Sequence, residues 1–377
     1  MYKIRQVDLT SQYLAIKSEI DNAIRRVIQH GKFINGPEVT KFAEHLAAYT
    51  GAKHVIPCGS GTDALLIALT ALELKEDDEV IVPAFTYIAP AEMIALCRLK
   101  PVLTDVDEKT FSISTEQIEQ VITARTKAII PVHLFGQCCD MEAIMNMAKK
   151  YDLHVIEDNA QSLGAVYTFH DGKKKMGGTI GHINCTSFFP AKNLGCFGDG
   201  GAIFTNNDDW AKTLRMIANH GQKEKYVHDI IGCNSRLDTL QAAILDVKLK
   251  YLDIYAAERR TVANRYSAAF ELLGELVTPV ESMFSTHVYN QYTLRVKENR
   301  RDALKQYLAE RGIPSAVYYP LPMQKQPALK GRIRTAGSLE VSARLCNEVL
   351  SLPVHTEMSV DMQNYIIEEV LNFFHKN

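Results

Sequence analysis

The residue with the clearest chemical potential is a lysine that stands between an apolar run and a glycine-rich turn. The apolar pattern predicts a short buried strand over 186–189, which Pro190 ends, so that Lys192 follows the strand and precedes the turn at 198–201. Partial burial disfavours the charged ammonium, and a neutral amine is a nucleophile toward a carbonyl group. The pattern indicates either a lysine that bonds to an aldehyde or an ordinary surface lysine beside a loop.

A carboxylate and an amide stand three residues apart after another apolar run. The run 153–156 predicts a strand, and Asp158 and Gln161 follow it closely. A buried carboxylate needs a cationic partner or a dense set of hydrogen bonds, and a protonated pyridine nitrogen is one such cation. The alternative is that Asp158 caps the turn that follows the strand.

A third segment has the pattern of an anion site. It consists of a predicted strand at 53–57, the glycine-rich turn 58–62 and an apolar helix predicted over 63–72. Free backbone N–H groups and the positive end of the helix dipole meet at such a turn, and both favour a phosphate group. The alternative is a tight turn that needs glycine for its backbone angles.

These segments belong to a regular alternation of strands and helices. Strands are also predicted at 79–82, 101–105 and 127–134, and helices at 89–96, 115–122 and 140–151. Strands separated by helix-length stretches form a largely parallel sheet with helices on its faces, and ligands bind beyond the carboxyl ends of such strands. Lys192, Asp158 and the turn 58–62 all follow strands, so we expect them at that edge of the sheet.

Further helices and a second unit complete the predicted α/β fold. Helices are predicted at 14–28 and from Pro37, and a long helical pattern follows Arg236. We place a domain boundary in that pattern, which predicts a large ligand-binding domain over 1–250 and a smaller C-terminal α/β domain over 251–377. The smaller domain has a predicted strand at 289–296 and predicted helices at 301–311, 338–350 and 361–374.

The composition is that of an ordinary soluble protein and argues against several classes of function. The 377 residues are 46% hydrophobic and 23% charged with a net charge of −2, so a basic surface for nucleic acid is not expected. The longest apolar stretches, such as 64–72, are shorter than the roughly 20 residues that cross a bilayer, and residues 1–5 lack an apolar signal segment. We therefore expect a cytoplasmic protein with no membrane or nucleic-acid partner.

The eight cysteines are scattered along the chain without a C-x-x-C pair. This spacing predicts neither a zinc site nor a disulfide framework. Most of the cysteines lie in apolar context, which is typical of buried, reduced thiols. No bound metal is expected.

Taken together, these parts match the needs of one cofactor. Pyridoxal 5'-phosphate requires a lysine, an acidic partner for its pyridine nitrogen, a phosphate site and an aromatic ring to stack on it. The segments involved are 59–65, 83–87, 131–137, 157–162, 187–192, 198–202, 220–221 and 234–238. In these segments the sequence resembles, over nearly the whole chain, the DegT/DnrJ/EryC1/StrS family of nucleotide-sugar aminotransferases. The resemblance implies a fold-type I, aspartate-aminotransferase-like fold, with a mainly parallel sheet in the larger domain.

The resemblance also implies roles at the cofactor. Lys192 is expected to bond to the cofactor aldehyde, Asp158 to bind the ring nitrogen, and Gln161 to bind the ring hydroxyl. Tyr87 is expected to stack on the ring. The residues expected at the phosphate are Gly61, Thr62 and Ser187, together with Asn234 from a second subunit.

Three further residues are implied at the substrate. Arg236 is expected to face a substrate carboxylate, which a planar guanidinium binds through two hydrogen bonds. Tyr318 and Tyr319 are expected in the sugar pocket, and many members of the family have histidine at the position of Tyr318. Without the resemblance, Asn234 and Arg236 would be interpreted as a helix cap and a surface ion pair.

The function implied is transfer of an amino group from L-glutamate to a keto nucleotide sugar by a homodimer with its active site at the subunit interface. The segments 220–222 and 319–327 are most similar to members that act on UDP-2-acetamido-2-deoxy-3-oxo-glucuronate for surface polysaccharide biosynthesis. The alternatives are a dTDP- or UDP-linked 3-oxo or 4-oxo deoxysugar as acceptor, and a non-catalytic sensor that binds the cofactor. Related sugar dehydratases have histidine in place of the lysine, so Lys192 argues against that reaction.

Overall fold

A computed structural model describes residues 4–335 and 337–375 of the chain. The helices are α1 (Leu9–Ala15), α2 (Lys17–His30), α3 (Pro37–Thr50), α4 (Gly61–Ala71), α5 (Ala89–Leu96), α6 (Thr115–Val121), α7 (Met141–Tyr151), α8 (Asp208–Ala218), α9 (Thr239–Leu249), α10 (Leu252–Phe270), α11 (Arg301–Glu310), α12 (Glu340–Glu348) and α13 (Val360–His375). The strands are β1 (His54–Cys58), β2 (Glu79–Pro83), β3 (Lys100–Thr104), β4 (Thr126–Ile129), β5 (His154–Asp158), β6 (Val166–Thr168), β7 (Lys174–Met176), β8 (Ile183–Ser187), β9 (Gly201–Thr205), β10 (Gln222–Glu224), β11 (Val227–His228), β12 (Leu276–Val277), β13 (Tyr292–Val296), β14 (Arg334–Thr335) and β15 (Val349–Leu352).

An eight-stranded sheet in the order β1-β9-β8-β5-β4-β2-β3-β14 forms the centre of the molecule. The two pairings that involve β9 are antiparallel, and the other five are parallel. Gly201 pairs with Cys58 on one side and with Ser187 on the other. The carboxyl ends of β1 and β8 therefore lie at the same edge of the sheet, and β5 ends beside them. This confirms the expectation of a largely parallel α/β sheet.

Helices cover both faces of this sheet, as parallel strands require. One apolar cluster packs α4, α5 and α8 against one face, and a second cluster packs α6 and α7 against the other. The strands β2 and β3 are almost entirely buried. Two buried faces explain why these strands read as continuous apolar runs rather than as alternating patterns.

The C-terminal part of the chain builds a three-stranded antiparallel sheet, β12-β13-β15, with its own apolar cluster. The chain between these strands also returns to the large sheet, where β14 adds parallel to the edge strand β3. There Arg334 donates two hydrogen bonds, of 2.9 and 2.8 Å, to the buried carboxylate of Glu79. The predicted boundary at residue 250 falls between α9 and α10, and the division into two domains stays a prediction.

Several predicted element bounds differ from the structure. The strand predicted at 186–189 is wrong in its bounds, because β8 ends at Ser187 and Phe189 is already exposed. The single helix predicted at 14–28 is two helices, which meet at Ile16 with backbone angles outside the helical region. The long helical pattern after Arg236 is likewise divided into α9 and α10.

The predicted burial of most cysteines agrees with the structure. All eight cysteines are free thiols; six are buried, and Cys97 and Cys233 are half-buried. Within residues 4–335 and 337–375, no group of three or more His, Cys, Asp and Glu side chains is arranged to bind a metal ion. None of the helices in these ranges has the length and apolar character needed to cross a membrane.

Candidate active site

Lys192 lies in a tightly closed segment, residues 188–199, which we call the lysine loop. Backbone hydrogen bonds of 2.8 Å close it from Lys192 N to Phe189 O and from Cys196 N to Phe188 O. A Cβ atom on Gly195 would lie 2.2 Å from the carbonyl oxygen of Pro190, so only glycine fits this turn. Burial lowers the pKa of the Lys192 amine to about 8, and the negative charge of Asp158 acts in the opposite direction. The loop therefore presents an amine that loses its proton easily.

Asp158 ends β5, and its side chain is 6% exposed. Burial raises the pKa of this carboxyl group, while the hydrogen bond from the Ala160 N–H and the charges of Lys192 and His133 lower it. The Ala160 N–H lies 3.0 Å from Asp158 Oδ1. Among the described residues, Asp158 forms no ion pair with a basic side chain. A buried carboxylate in this state fits a cationic ligand group such as a protonated pyridine nitrogen.

Glu157, the neighbour of Asp158, is fully buried, and its carboxylate accepts hydrogen bonds from groups of the protein. His133 Nε2 lies 2.7 Å from its carboxylate, and the backbone N–H groups of Gly178 and Ile180 donate to it at 2.9 and 2.6 Å. Burial alone would raise the pKa of Glu157, but these hydrogen bonds lower it overall. Glu157 therefore fixes β5 to the segment around Gly178, and Asp158 is the carboxylate left for a ligand.

The N-terminus of α4 lies at the turn that was predicted to bind an anion. The Ser60 side chain caps the helix by accepting a 3.0 Å hydrogen bond from the Asp63 N–H. A Cβ atom on Gly61 would lie 2.6 Å from Ser187 Cβ, so glycine allows β8 and the helix end to approach each other. Ser235 accepts a 2.9 Å hydrogen bond from the Gly59 N–H and donates at 2.7 Å to Asp63. The turn is thus held in place before any anion binds.

Aromatic rings and an amide form another wall of the cleft. Gln161 accepts a 2.8 Å hydrogen bond from the Phe135 N–H and donates at 3.1 Å to the Tyr319 hydroxyl. The Tyr87 ring is 56% exposed and lies 6.1 Å from the Tyr319 ring. Burial raises the pKa of Tyr319, so its hydroxyl stays protonated and can donate to a ligand. Tyr318 lies beside it on the cleft.

The structure brings most of the predicted residues together around one cleft of about 480 Å³. The predicted residues on its wall are Gly61, Thr62, Tyr87, Asp158, Gln161, Ser187, Lys192, Tyr318 and Tyr319. A positive helix end, a buried carboxylate without a counter-ion, an amine and an exposed ring are the four features that pyridoxal phosphate requires. The residues present therefore fit this cofactor.

Asn234 and Arg236 are not on the wall of this cleft within one chain. The Asn234 side chain is exposed, and Arg236 Nη1 donates only a 3.4 Å hydrogen bond to Asn219. Arg236 Nε is buried and has no hydrogen-bond partner within the described part of the chain. Their segment packs against the Gly59 turn through Ser235. Their expected roles require a second chain and stay predictions.

Sequence reasoning missed several residues of the cleft. Thr86, Asp199, Asn290 and Gln291 also lie on its wall. Asn290 and Gln291 belong to the C-terminal part of the chain, whose backbone comes very close to Gly136. A Cβ atom on residue 136 would lie 2.9 Å from Asn290 N, so glycine permits this approach. The only local signal for these two residues in the sequence is a pair of adjacent amide side chains before a strand. No local pattern links residue 136 to residue 290.

Comparison with known proteins assigns the chain to a class. The model of the DegT/DnrJ/EryC1/StrS aminotransferase family matches residues 14–371. The chain belongs to this family, and it is an aminotransferase of the class that the resemblance predicted. The predicted fold-type I, aspartate-aminotransferase-like fold is confirmed as well.

Individual relatives are similar over almost their whole length. The chain is 47% identical to the UDP-2-acetamido-2-deoxy-3-oxo-D-glucuronate aminotransferase of Pseudomonas aeruginosa, over 93% of this chain and 95% of that protein. It is 44% identical to a pleiotropic regulatory protein of Geobacillus stearothermophilus, over 98% of each chain. The crystal structure of DesV from S. venezuelae in complex with a ketimine intermediate superposes with a TM-score of 0.94 at 36% identity, over 99% of each chain.

Proposed function

We propose that this protein is a pyridoxal phosphate-dependent aminotransferase that moves an amino group from L-glutamate to UDP-2-acetamido-2-deoxy-3-oxo-glucuronate. The observation that carries the proposal is the joint position of Lys192 and Asp158 in one cleft, an amine with a lowered pKa beside a buried carboxylate without a basic partner. When bound, the cofactor supplies an electron sink for the negative charge that develops at the substrate carbon.

The residues of the chain have separate tasks in this proposal. Lys192 would hold the cofactor through its amine, and as a free amine it would move the proton at the substrate carbon. Asp158 keeps a proton on the ring nitrogen, because a buried carboxylate is stabilised by a neighbouring cation. The backbone N–H groups of Gly61 and Thr62, with the Ser187 hydroxyl, bind the phosphate. Gln161 orients the ring through its hydroxyl group, and the exposed Tyr87 ring excludes water from one face.

The substrate assignment is supported by the 47% identity to the glucuronate aminotransferase over nearly the whole chain. Both L-glutamate and a uronate sugar carry a carboxylate, so a single guanidinium can serve the two half-reactions in turn. We assign this role to Arg236 of a partner chain, with Asn234 completing the phosphate site. The functional unit is then a homodimer. We place it in the cytoplasm, in the supply of amino sugars for surface polysaccharide.

The test is a direct assay of the purified protein with L-glutamate and the 3-oxo uronate nucleotide. Mass spectrometry of the product should show the amino sugar, and 2-oxoglutarate should form in equal amount. The Lys192→Ala variant is the control and should form neither product. Conversion only of dTDP- or UDP-linked 3-oxo or 4-oxo deoxysugars would replace the proposed substrate with that alternative.

A second candidate function follows from the similarity to the pleiotropic regulatory protein. A sensor would bind the cofactor without exchanging its amino group. Visible spectra recorded before and after addition of L-glutamate distinguish the two functions. Bleaching of the yellow band by glutamate supports the enzyme, whereas a bound cofactor that ignores glutamate and every sugar tested supports the sensor.

A further inference from the structure

A second lysine is buried behind the lysine loop and has no part in the proposed chemistry. Lys248, near the end of α9, is 3% exposed. Burial lowers the pKa of its amine to about 8. Across the described residues, Lys248 forms no ion pair with a carboxylate. A buried ammonium without a carboxylate destabilises a fold, so an apolar side chain would be the simpler choice at this position.

The polar contact of Lys248 is directed at the lysine loop. Its Nζ donates a 2.5 Å hydrogen bond to the carbonyl oxygen of Gly195 and lies 5.8 Å from the centre of the Phe197 ring. Gly195 is the residue whose missing Cβ lets the loop close against the Pro190 carbonyl. Lys248 therefore binds the loop at its tightest turn, three residues after Lys192.

The same helix contacts the loop at a second place. Gln241, two turns before Lys248 on α9, accepts a 2.8 Å hydrogen bond from the Phe197 N–H and donates at 3.4 Å to the Phe197 carbonyl. Residues seven apart lie on the same side of a helix. One side of α9 thus binds three backbone groups of the lysine loop, the Gly195 carbonyl and the N–H and carbonyl of Phe197. Within the loop, the Cys196 thiol donates a hydrogen bond to the Phe188 carbonyl.

We propose that Lys248 is a positioning residue for Lys192: by binding the Gly195 carbonyl, it fixes the loop that aims the Lys192 amine into the cleft. The inference rests on the proposed function only in taking Lys192 as the cofactor lysine. A reacting group must be placed to within a fraction of an ångström, and a shift of about 1 Å can lower a rate by about a hundredfold. The ordering of the loop gives a physical reason for keeping a charge in an apolar interior.

The test measures how the full-length enzyme, stripped of cofactor, takes up pyridoxal phosphate. Lys248→Met keeps the length and apolar volume of the side chain but removes the hydrogen bond. We expect this variant to develop the visible cofactor band at least about fivefold more slowly, and the pH at which the band changes colour to shift. Its thermal unfolding midpoint should not fall, because a buried charge is removed. Lys250→Met is the matched control, since Lys250 is exposed at the end of the same helix.

The outcomes separate this inference from the proposed function. Uptake and pH titration of Lys248→Met equal to those of the unaltered enzyme would overturn the positioning role. If that variant cannot be purified, Lys248→Leu, which also lacks a hydrogen-bond donor, is held to the same criterion, and uptake at the normal rate overturns the proposal in the same way. Normal uptake by Lys192→Ala would instead refute the assignment of Lys192. No sugar substrate is used, so an error in the substrate does not affect the result.

Discussion

At the scale of single residues, the role proposed for Lys192 depends on the charge state of its amine. Burial lowers the pKa of this amine from 10.5 to about 8. Only the neutral amine attacks an aldehyde, and its fraction falls about tenfold for each pH unit below the pKa. The lysine loop therefore supplies a usable amount of nucleophile at neutral pH.

The first prediction follows from this pKa. The rate of cofactor uptake by stripped enzyme should rise as the pH increases from 6 and level off above about 8, because the amine is then deprotonated. Stopped-flow absorbance measurements at a series of pH values would give the midpoint. A midpoint near 10.5 would show that the amine is not perturbed and would contradict the burial described for the loop.

Asp158 and Lys192 were predicted from sequence because the signal for each is local. Each follows an apolar run that predicts a strand. Ser235 and Asn290 gave no such signal. They reach the site only through contacts with residues at least 150 positions away in the chain, such as Gly59 and Gly136. Local pattern cannot report such contacts.

At the scale of elements, the close approach of β8 and α4 is the feature most sensitive to the volume of a side chain. A Cβ at Gly61 would lie 2.6 Å from Ser187 Cβ and 3.1 Å from Ser187 Cα. The neighbouring atoms belong to a strand that is hydrogen-bonded on both sides, so they have little freedom to move. The anion site therefore depends on a glycine at the first position of the helix.

The second prediction is that Gly61→Ala weakens cofactor binding by roughly 5- to 150-fold, the range that corresponds to about 1–3 kcal/mol of overpacking. Fluorescence or absorbance titration with pyridoxal phosphate would measure the dissociation constant. Gly274→Ala is the control, because the space around its Cβ is open. Unchanged affinity in Gly61→Ala would mean that the helix end does not bind the phosphate.

The sheet itself was predicted as an α/β arrangement, but its antiparallel strand β9 and its edge strand β14 were not. Nothing in the sequence marks β9 as antiparallel, and β14 contains only two residues. The contact of Arg334 with Glu79, which lies 255 positions earlier in the chain, shows where β14 joins the sheet. Short edge strands have too few residues for a pattern, so only tertiary contacts define them.

The third prediction concerns this edge. Arg334→Met leaves the buried carboxylate of Glu79 with fewer donors, and we expect the free energy of unfolding to fall by about 1–3 kcal/mol, because the arginine is partly exposed. Chemical denaturation would measure the change. Lys212→Met removes an exposed ion pair and should have almost no effect. Equal stability of the two variants would show that the contact with Glu79 is not structurally important.

At the scale of the whole molecule, the cleft of a single chain lacks two of the residues that we propose take part in the reaction. The segment with Asn234 and Arg236 lies beside the turn at Gly59 but not on the cleft wall. Exposed apolar residues border it, including Ile231 and, in the turn of the nearby β10-β11 hairpin, Tyr226. A second chain that covers this surface could receive Arg236 in its own cleft.

The fourth prediction tests this arrangement by mixing two inactive variants, Lys192→Ala and Arg236→Ala, after unfolding and refolding together. If Lys192 and Arg236 in one site come from different chains, each mixed dimer contains one site with both native residues. Random pairing should then restore about a quarter of the original activity. Absence of restored activity, although mixed dimers are detected by mass spectrometry, would place both residues in the same chain.

The edge strand β14 has a consequence for how the protein is made. During synthesis, β3 remains the unpaired edge of the large sheet at least until residues 334–335 have been added, when nearly nine-tenths of the chain already exists. An uncovered edge strand pairs readily with other chains. Nascent chains that stall before this point are therefore expected to aggregate or to require a chaperone, and a fragment containing only residues 1–250 is expected to be insoluble even though it includes the strands on either side of the cleft.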